Sequence, residues 1–197
     1  MAAATVRMSY WSGASPTSAS AETGIVFSRS EAQAPAAGTA PIPIPTSTGT
    51  NYSWIMQLGL EVTSTGTTSI NNRTIKYASS ETAHTRVWFA DQATYRRAVS
   101  GNKPTDSGTG SVATPTPAGS GAPGSYTALT TSAQVWDNTT VATSSAALNG
   151  DYVELVFGVD NSYTSGGGQV TLPNLTITRS EEHTSELQSH SFISYAV

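Results

Sequence analysis

The chain has 197 residues, of which 11% are charged, and a formal net charge of −4 at pH 7. That charge is too weak to favour nucleic acid or an anionic membrane as a partner. Cysteine is absent, which excludes disulfides and thiolate metal sites. No apolar run approaches the ~20 residues that span a bilayer, and no basic stretch followed by an apolar core opens the chain, so we expect no Sec signal peptide.

Alternation of apolar and polar residues predicts β-strands along most of the chain, because a strand sends successive side chains to opposite faces. The runs that show it, in chain order, are residues 6–10, 25–27, 54–62, 74–77, 85–90, 134–136, 153–159 and 170–178. The two clearest runs place the following residues on one face: Trp54, Met56, Leu58, Leu60 and Val62, then Val153, Leu155, Phe157 and Val159, with Val156 as the exception.

Turn-forming residues lie between or beside these runs. They are Thr65-Gly66, Asn71-Asn72, Asn149-Gly150, Asp160-Asn161 and the glycines at 166–168. Asn149-Gly150 fits a tight turn best, since both residues tolerate a positive φ. About eight to ten short strands joined by turns predict an all-β fold, an antiparallel β-sandwich. Strand order cannot be read from such a pattern, so jelly-roll and Ig-like topologies both stay open.

Two segments break the alternation. Residues 41–45 alternate Pro with Ile, and because proline cannot donate to a ladder we expect an extended edge or connector there. Residues 100–125 are rich in Gly, Ser, Thr and Pro, with almost no apolar side chains. Such a segment buries too little surface to offset its ordering entropy and predicts a long mobile loop, which more often contacts a partner than stays idle.

Enzymatic groups are sparse. His84 lies in a turn-like stretch, and a Ser/His/Asp triad would need it, but no Gly-x-Ser-x-Gly elbow is present. Paired carboxylates of a glycosidase lie about 5–9 Å apart, whereas Asp151 and Asp160 are separated by roughly 30 Å along one strand. Glu154 alternates away from the core face and is expected to face solvent, and Asp137 ends another strand. We therefore predict no catalytic residue.

Ligand sites are equally weakly indicated. The oxygen-rich stretches 137–139 and 160–162 suit calcium, although Asx residues more often occupy turns for their own backbone hydrogen bonds. Trp54 and Trp136 are predicted core residues, whereas Trp11 and Trp88 fall on the opposite parity and are free to line an exposed sugar-binding face. We predict no metal and no cofactor.

Residues 179–197 resemble a translated sequencing adapter. Residues 179–189 read RSEEHTSELQS and residues 193–197 read ISYAV, and both are in-frame translations of adapter DNA, with space between them for a sample index. We therefore predict one β-sandwich domain over residues 1–178, with the long loop at 100–125, and a non-native tail that packs poorly on it. Without the tail, His84 is the one remaining histidine.

The rest of the chain resembles small structural proteins of tailed bacteriophages. The resemblance covers residues 5–178 as scattered words at 8–13 (MSYWSG), 41–46 (PIPIPT), 51–54 (NYSW), 69–73 (SINNR), 87–95 (VWFADQATY), 158–163 (GVDNSY) and 172–175 (LPNL). It implies a non-enzymatic virion component, made in the host cytoplasm without a signal peptide. The expected partners are other virion proteins or copies of itself in a lattice. The alternative is a carbohydrate-binding or host-receptor-binding module that takes a surface glycan.

Overall fold

A computed structural model describes residues 4–15, 17–18, 24–32, 39–66, 69–108, 110–137, 139–143, 148–164, 170–171, 174–181 and 188–196. In these ranges the chain forms strands and a single 3-10 turn at Ser100–Asn102. The strands are β1 Thr5–Ser12, β2 Thr17–Ser18, β3 Gly24–Phe27, β4 Thr50–Tyr52, β5 Met56–Ser64, β6 Ser69–Tyr77, β7 Thr85–Gln92, β8 Thr127–Ala128, β9 Gln134–Asp137, β10 Val141–Ala142, β11 Leu148–Asp160, β12 Val170–Thr171, β13 Leu175–Glu181 and β14 Gln188–Ala196.

The strands form two seven-stranded sheets. Sheet A has the order β2-β1-β5-β11-β7-β8, with β4 pairing beside β11. Sheet B has the order β10-β6-β13-β14-β12, with β9 on β6 and β3 on β14. The pairings are antiparallel except that of β14 with β3, which is parallel. The all-β, sandwich-like fold predicted from the alternation is confirmed, with more short strands than the eight to ten expected.

One hydrophobic core fills the space between the sheets. Sheet A sends into it the predicted inward residues of two central strands: Met56, Leu58, Leu60 and Val62 from β5, and Val153, Leu155, Phe157 and Val159 from β11. Sheet B supplies Ile70, Ile75, Tyr77, Leu175 and Ile177. Because each of these residues is at most 5% exposed, the period-two pattern located the inner face of the sandwich correctly.

A second, smaller core lies on the other face of sheet A. Trp88 and Val156 pair with each other across β7 and β11, and each is at most 1% exposed. They join Tyr52, Ile55, Ala90, Ala98 and Tyr126 in a separate apolar cluster, which we call the outer cluster. The centre of sheet A, where β7 and β11 pair, is therefore buried on both faces. This explains why Val156 departs from the alternation of β11.

Two predicted turns lie inside strands instead. Asn71 and Asn72 belong to β6, where Asn72 has a φ of 45° and the pairing with β9 and β13 shifts register nearby. Asn149 and Gly150 belong to β11, where the register with β5 shifts between Leu148 and Tyr152. Residues that tolerate positive φ serve bulges as well as turns, so the turn predictions at these two places were wrong. Asp160-Asn161 does end β11 in a turn, and the glycines at 166–168 lie outside the described residues.

The proline-isoleucine segment is an extended connector, as predicted. Ile42 is 8% exposed and reaches the inter-sheet core, whereas Ile44 is 37% exposed. The side-chain amide of Asn51 donates to the carbonyl of Pro43 over 2.7 Å. One isoleucine of the pair therefore anchors the connector to the sandwich.

The tail does not stand apart from the sandwich. Strand β13 continues through the predicted boundary at residue 178, and β14 pairs antiparallel with β13 and parallel with β3. These pairings place residues 179–181 and 188–196 in strands of sheet B, but the burial of the side chains of residues 180–197 lies outside the described residues. The predicted boundary at residue 178 and the poor packing of the tail therefore stay predictions. The origin of these residues in adapter DNA stays a prediction.

None of the described residues belongs to a helix with the length and hydropathy that crossing a bilayer requires.

Gly158 provides a test of the outer cluster. A Cβ placed on it would lie 2.8 Å from Trp88 and 3.0 Å from Tyr52, so Gly158→Ala must displace an aromatic ring. We expect the free energy of unfolding to fall by about 1–3 kcal/mol, as for overpacked cores, measured by urea denaturation. Gly101→Ala, where a Cβ meets nothing within 4 Å, is the matched control and should change little. Equal effects of the two substitutions would contradict close packing at Gly158.

Candidate functional site

The candidate site is the outer face of sheet A together with the loop of residues 100–125 that covers it. We call this segment the covering loop. It lies between β7 and β8, two neighbours in sheet A, so it leaves the sheet and returns to it. One of its apolar side chains, Val112, packs on the outer cluster. Polar contacts therefore have to hold the rest of the loop.

The central polar contact is a buried ion pair. Glu154 lies on the outward side of β11 and is 0% exposed, and Arg96, which follows β7, is 4% exposed. Nη1 of Arg96 donates to both carboxylate oxygens of Glu154, over 2.6 and 2.7 Å. Glu154 was expected to face solvent, and that prediction was wrong because Arg96, Gln57 and Tyr126 surround its carboxylate.

Two neighbours complete the environment of the carboxylate. The side-chain amide of Gln57 donates to Glu154 over 3.1 Å, and its carbonyl oxygen accepts the backbone N–H of Arg96 over 2.7 Å. The hydroxyl of Tyr126 donates to the other carboxylate oxygen. Burial, and then the charge of Glu154, raise the pKa of Tyr126, so this hydroxyl keeps its proton. Each group of the network thus has a partner, as a buried charge requires.

Arg96 transmits this network to the covering loop. Its Nε donates to the carbonyl of Ser120 over 3.2 Å, and its Nη2 donates to the carbonyl of Ala118. One guanidinium therefore joins the carboxylate on the sheet to the backbone of the loop. Residues 118 and 120 are fixed without any apolar side chain of their own being buried.

Asp106 holds the other half of the loop. Its carboxylate accepts from Nη2 of Arg29 over 2.8 Å, from Nζ of Lys103 over 2.6 Å and from the backbone N–H of Tyr52 over 3.0 Å. Thr50 and Ser107 exchange two backbone hydrogen bonds of 2.9 Å, an isolated bridge between β4 and the loop. This half of the loop is therefore attached to the margin of sheet A.

A third attachment of the covering loop, at residue 113, lies between those at Asp106 and at residues 118 and 120. The hydroxyl of Tyr52 donates to the carbonyl of Ala113 over 2.6 Å, and the N–H of Ala113 donates to Oγ1 of Thr50 over 2.9 Å. The preceding residue, Val112, has a φ of 43°, a region that β-branched residues rarely adopt. These bonds and its packing on the outer cluster hold it there. The prediction of a mobile loop does not match a segment fixed at three places.

His84 and Asp160 are brought together, although sequence reasoning did not pair them. Nδ1 of His84 lies 3.2 Å from Oδ2 of Asp160, and the backbone N–H of Asp160 donates to the carbonyl of His84. The imidazole is 44% exposed, and the carboxylate is buried. The other carboxylate oxygen accepts the N–H of Ser162 over 2.7 Å. Asp160 thus forms an Asx turn with Ser162 and binds the turn that contains His84. None of these contacts brings a serine or threonine hydroxyl to the imidazole.

Asp137 is likewise used within the fold. Its carboxylate binds the guanidinium of Arg73, which is 1% exposed, and accepts the N–H of Thr139 over 2.6 Å. The guanidinium lies 5.1 Å above the ring of Trp136. Both oxygen-rich stretches considered for calcium therefore form Asx turns around a cationic or imidazole partner. In the described ranges no group of three or more His, Asp and Glu side chains could hold a metal ion.

The aromatic residues give no sugar-binding platform in the part of the chain that the structure describes. Trp136 is a core residue, as predicted, whereas the same prediction for Trp54 was wrong, because Trp54 is only half-buried and belongs to neither core. Trp11 and Trp88, which were free to be exposed, are each 1% exposed. Trp11 packs on Tyr152 edge to face, and Trp88 packs on Tyr52 in the same way. The opposite parity of Trp88 reflects the outer cluster, whereas Trp11 is buried outside that cluster, against Tyr152.

One crevice opens between the sheets, beside Arg73, Arg179 and Trp136. It has space for about one water molecule, which is far below the ~300 Å³ of a typical ligand pocket. Comparison of the chain with protein-family models and with curated proteins found no match. The contacts above show Arg96, Glu154 and Asp106 holding the covering loop on sheet A.

The ion pair of Arg96 can be tested against its sequence neighbour. Arg96→Met leaves Glu154 buried without its countercharge, so we expect the free energy of unfolding to fall by about 3–5 kcal/mol. Arg97→Met is the matched control, because Arg97 is half exposed and pairs with Glu31 near the surface. That change should cost far less, because exposed ion pairs contribute little to stability. Urea denaturation measures both, and protease cleavage within residues 100–125 should rise in Arg96→Met alone. Similar losses in the two variants would contradict a special role for Arg96.

Acid should loosen the attachment at Asp106. Burial alone would raise the pKa of Asp106, but the hydrogen bonds from Lys103 and the Tyr52 amide and the charge of Arg29 outweigh it, so the pKa is lowered. A carboxyl with a lowered folded-state pKa stabilises above its unfolded value, ~3.9, and loses that contribution as pH falls through the folded value. Thermal melts between about pH 6 and pH 3 should therefore show a smaller decline for Asp106→Asn than for the parent chain. Parallel declines would contradict this linkage.

Proposed function

We propose that this protein is a non-enzymatic structural component of a bacteriophage particle and acts through contacts with other subunits. The observation that carries the proposal is the covering loop, which is poor in apolar residues and yet is fixed at three places on a rigid sheet. Loops held by a rigid scaffold are where binding surfaces concentrate. A loop fixed by a buried ion pair has an outer surface of defined shape, which is what a subunit contact needs.

The composition of that surface fits assembly better than catalysis. The loop exposes Thr105, Thr114 and Thr116 among glycines and serines, a neutral surface suited to hydrogen bonding across a subunit contact. Because the chain resembles structural proteins of tailed phages, we place these contacts in the phage particle. Glycan binding receives no comparable support, since none of the aromatic side chains whose burial is described is exposed.

The direct test is the protein content of purified particles. In a phage that encodes this protein, mass spectrometry of particles banded in a density gradient should detect it at many copies per particle. The expected ratio to a known capsid protein is constant from one preparation to the next. Presence in infected cells combined with absence from banded particles would contradict the proposal.

A surface substitution then tests the loop itself. Thr114→Glu combined with Thr116→Glu adds two charges to the exposed side of the covering loop, and we expect at least about a tenfold drop in copies per particle, since each desolvated charge costs more than 1 kcal/mol. Ser80→Glu, on an exposed turn between β6 and β7, is the control and should leave the copy number unchanged. Circular dichroism of both purified chains should match the parent. Unchanged incorporation of the loop variant would exclude this surface as the contact.

A further inference from the structure

The crevice between the sheets is lined by three buried side chains that donate hydrogen bonds. They are Arg73 on β6, Trp136 on β9 and Arg179 on β13, and they are 1%, 3% and 5% exposed. Strands β6 and β13 pair at Thr74 and Thr178, so Arg73 and Arg179 are neighbours on adjacent strands. Two guanidinium groups and one indole therefore border the same small space.

The indole of Trp136 carries a donor that the protein does not use. Its Nε1 is buried, and among the described residues no group accepts a hydrogen bond from it. A buried polar group without a hydrogen bond costs free energy, and such a group in a folded protein calls for an explanation, such as a bound ion or water. The guanidinium of Arg73 lies 5.1 Å above the ring of this tryptophan. A positive charge and an unused N–H donor thus lie together beside the crevice.

The chemistry of these groups selects an anion. Guanidinium and indole groups donate hydrogen bonds and accept none, and an arginine stays charged at every physiological pH. Asp137 binds Arg73 and offsets one positive charge. The space for about one water molecule excludes polyatomic anions such as phosphate. The rest of the lining includes Met8, Leu60 and Ile177, and apolar walls strengthen the attraction between an ion and the charges around it.

We propose that this crevice binds one monatomic anion, a chloride ion in the cell, through Nε1 of Trp136 and the guanidinium groups of Arg73 and Arg179. The ion joins β6, β9 and β13 on the inner face of sheet B and so stabilises the sandwich. Trp136 and Arg73 lie within residues 1–178, so the indole and one guanidinium belong to the predicted domain whatever the origin of the tail. The site is also independent of the proposed role in a phage particle.

The first test uses the parent chain and the indole N–H signals of its four tryptophans. ¹H–¹⁵N spectra are recorded while sodium chloride replaces sodium gluconate at constant ionic strength, so that general screening does not change. The Trp136 signal should shift and then saturate. The signals of Trp11 and Trp88 should not move, because these indoles are equally buried and without an acceptor but pack elsewhere, on Tyr152 and Tyr52.

The second test compares two substitutions of the same chemistry. The midpoint of thermal unfolding of the parent chain should rise with chloride concentration, as it does for any ligand of the folded state. Trp136→Phe keeps an aromatic ring and removes the N–H donor, so the apparent chloride affinity should fall at least about tenfold, as for a lost hydrogen bond to a charge. Trp11→Phe removes an equally buried donor away from the crevice and should keep the full chloride response.

Two results would overturn the proposal. Spectra and unfolding midpoints that are the same in chloride and in gluconate would show that the crevice holds a water molecule at most. A chloride response that is as large in Trp136→Phe as in the parent chain would show that the anion binds elsewhere. If Trp136→Phe does not fold, the spectra of the parent chain decide, since a Trp136 signal that ignores chloride contradicts the site by itself.

Discussion

The buried ion pair between Arg96 and Glu154 is the interaction on which the attachment of the covering loop to sheet A depends. A segment of mostly Gly, Ser, Thr and Pro cannot offset its ordering entropy by burying apolar surface. Here a few polar contacts offset that entropy cost. Arg96 binds the carboxylate of Glu154 on the sheet and also donates to the backbone carbonyls of residues 118 and 120 in the loop. Removing either charge of this pair would strongly destabilise the folded state, because the other charge would stay buried without a partner. The loop and the sheet are therefore coupled and should open together.

The centre of sheet A is covered on both faces, by the inter-sheet core and by the outer cluster. Antiparallel sheets commonly leave one face to solvent, but the outward residues of β7 and β11 form a second core under the loop. Gly158 makes this possible, since any side chain there would meet the rings of Trp88 and Tyr52. In the part of the chain that the structure describes, the covering loop is thus the outermost layer over the centre of sheet A.

The period-two pattern predicted the strands and the inner face of the sandwich, because both follow from local geometry. It could not show whether the opposite face is exposed to solvent, so Glu154 was misplaced and the exposure of Trp88 stayed open. The information that buries them lies in the covering loop and in a partner 58 residues from Glu154, Arg96, and no local signal links the two. The Asx turns at Asp137 and Asp160 were foreseeable from residue type, whereas their partners Arg73 and His84 depend on how strands pair. The positive φ of Asn72 was equally foreseeable from residue type. A turn and a β-bulge both use a positive φ, so residue type alone could not decide between them.

The central claim is that the covering loop is a fixed surface and not a mobile linker. Backbone ¹⁵N relaxation of the labelled full chain measures this directly, through the order parameters of residues 104–123 compared with those of β11. A fixed loop should give values near the ~0.85 of rigid backbone, close to those of the strand. Values below about 0.6 through the loop, with β11 still rigid, would show that the contacts of Arg96 and Asp106 do not hold it and would contradict the claim.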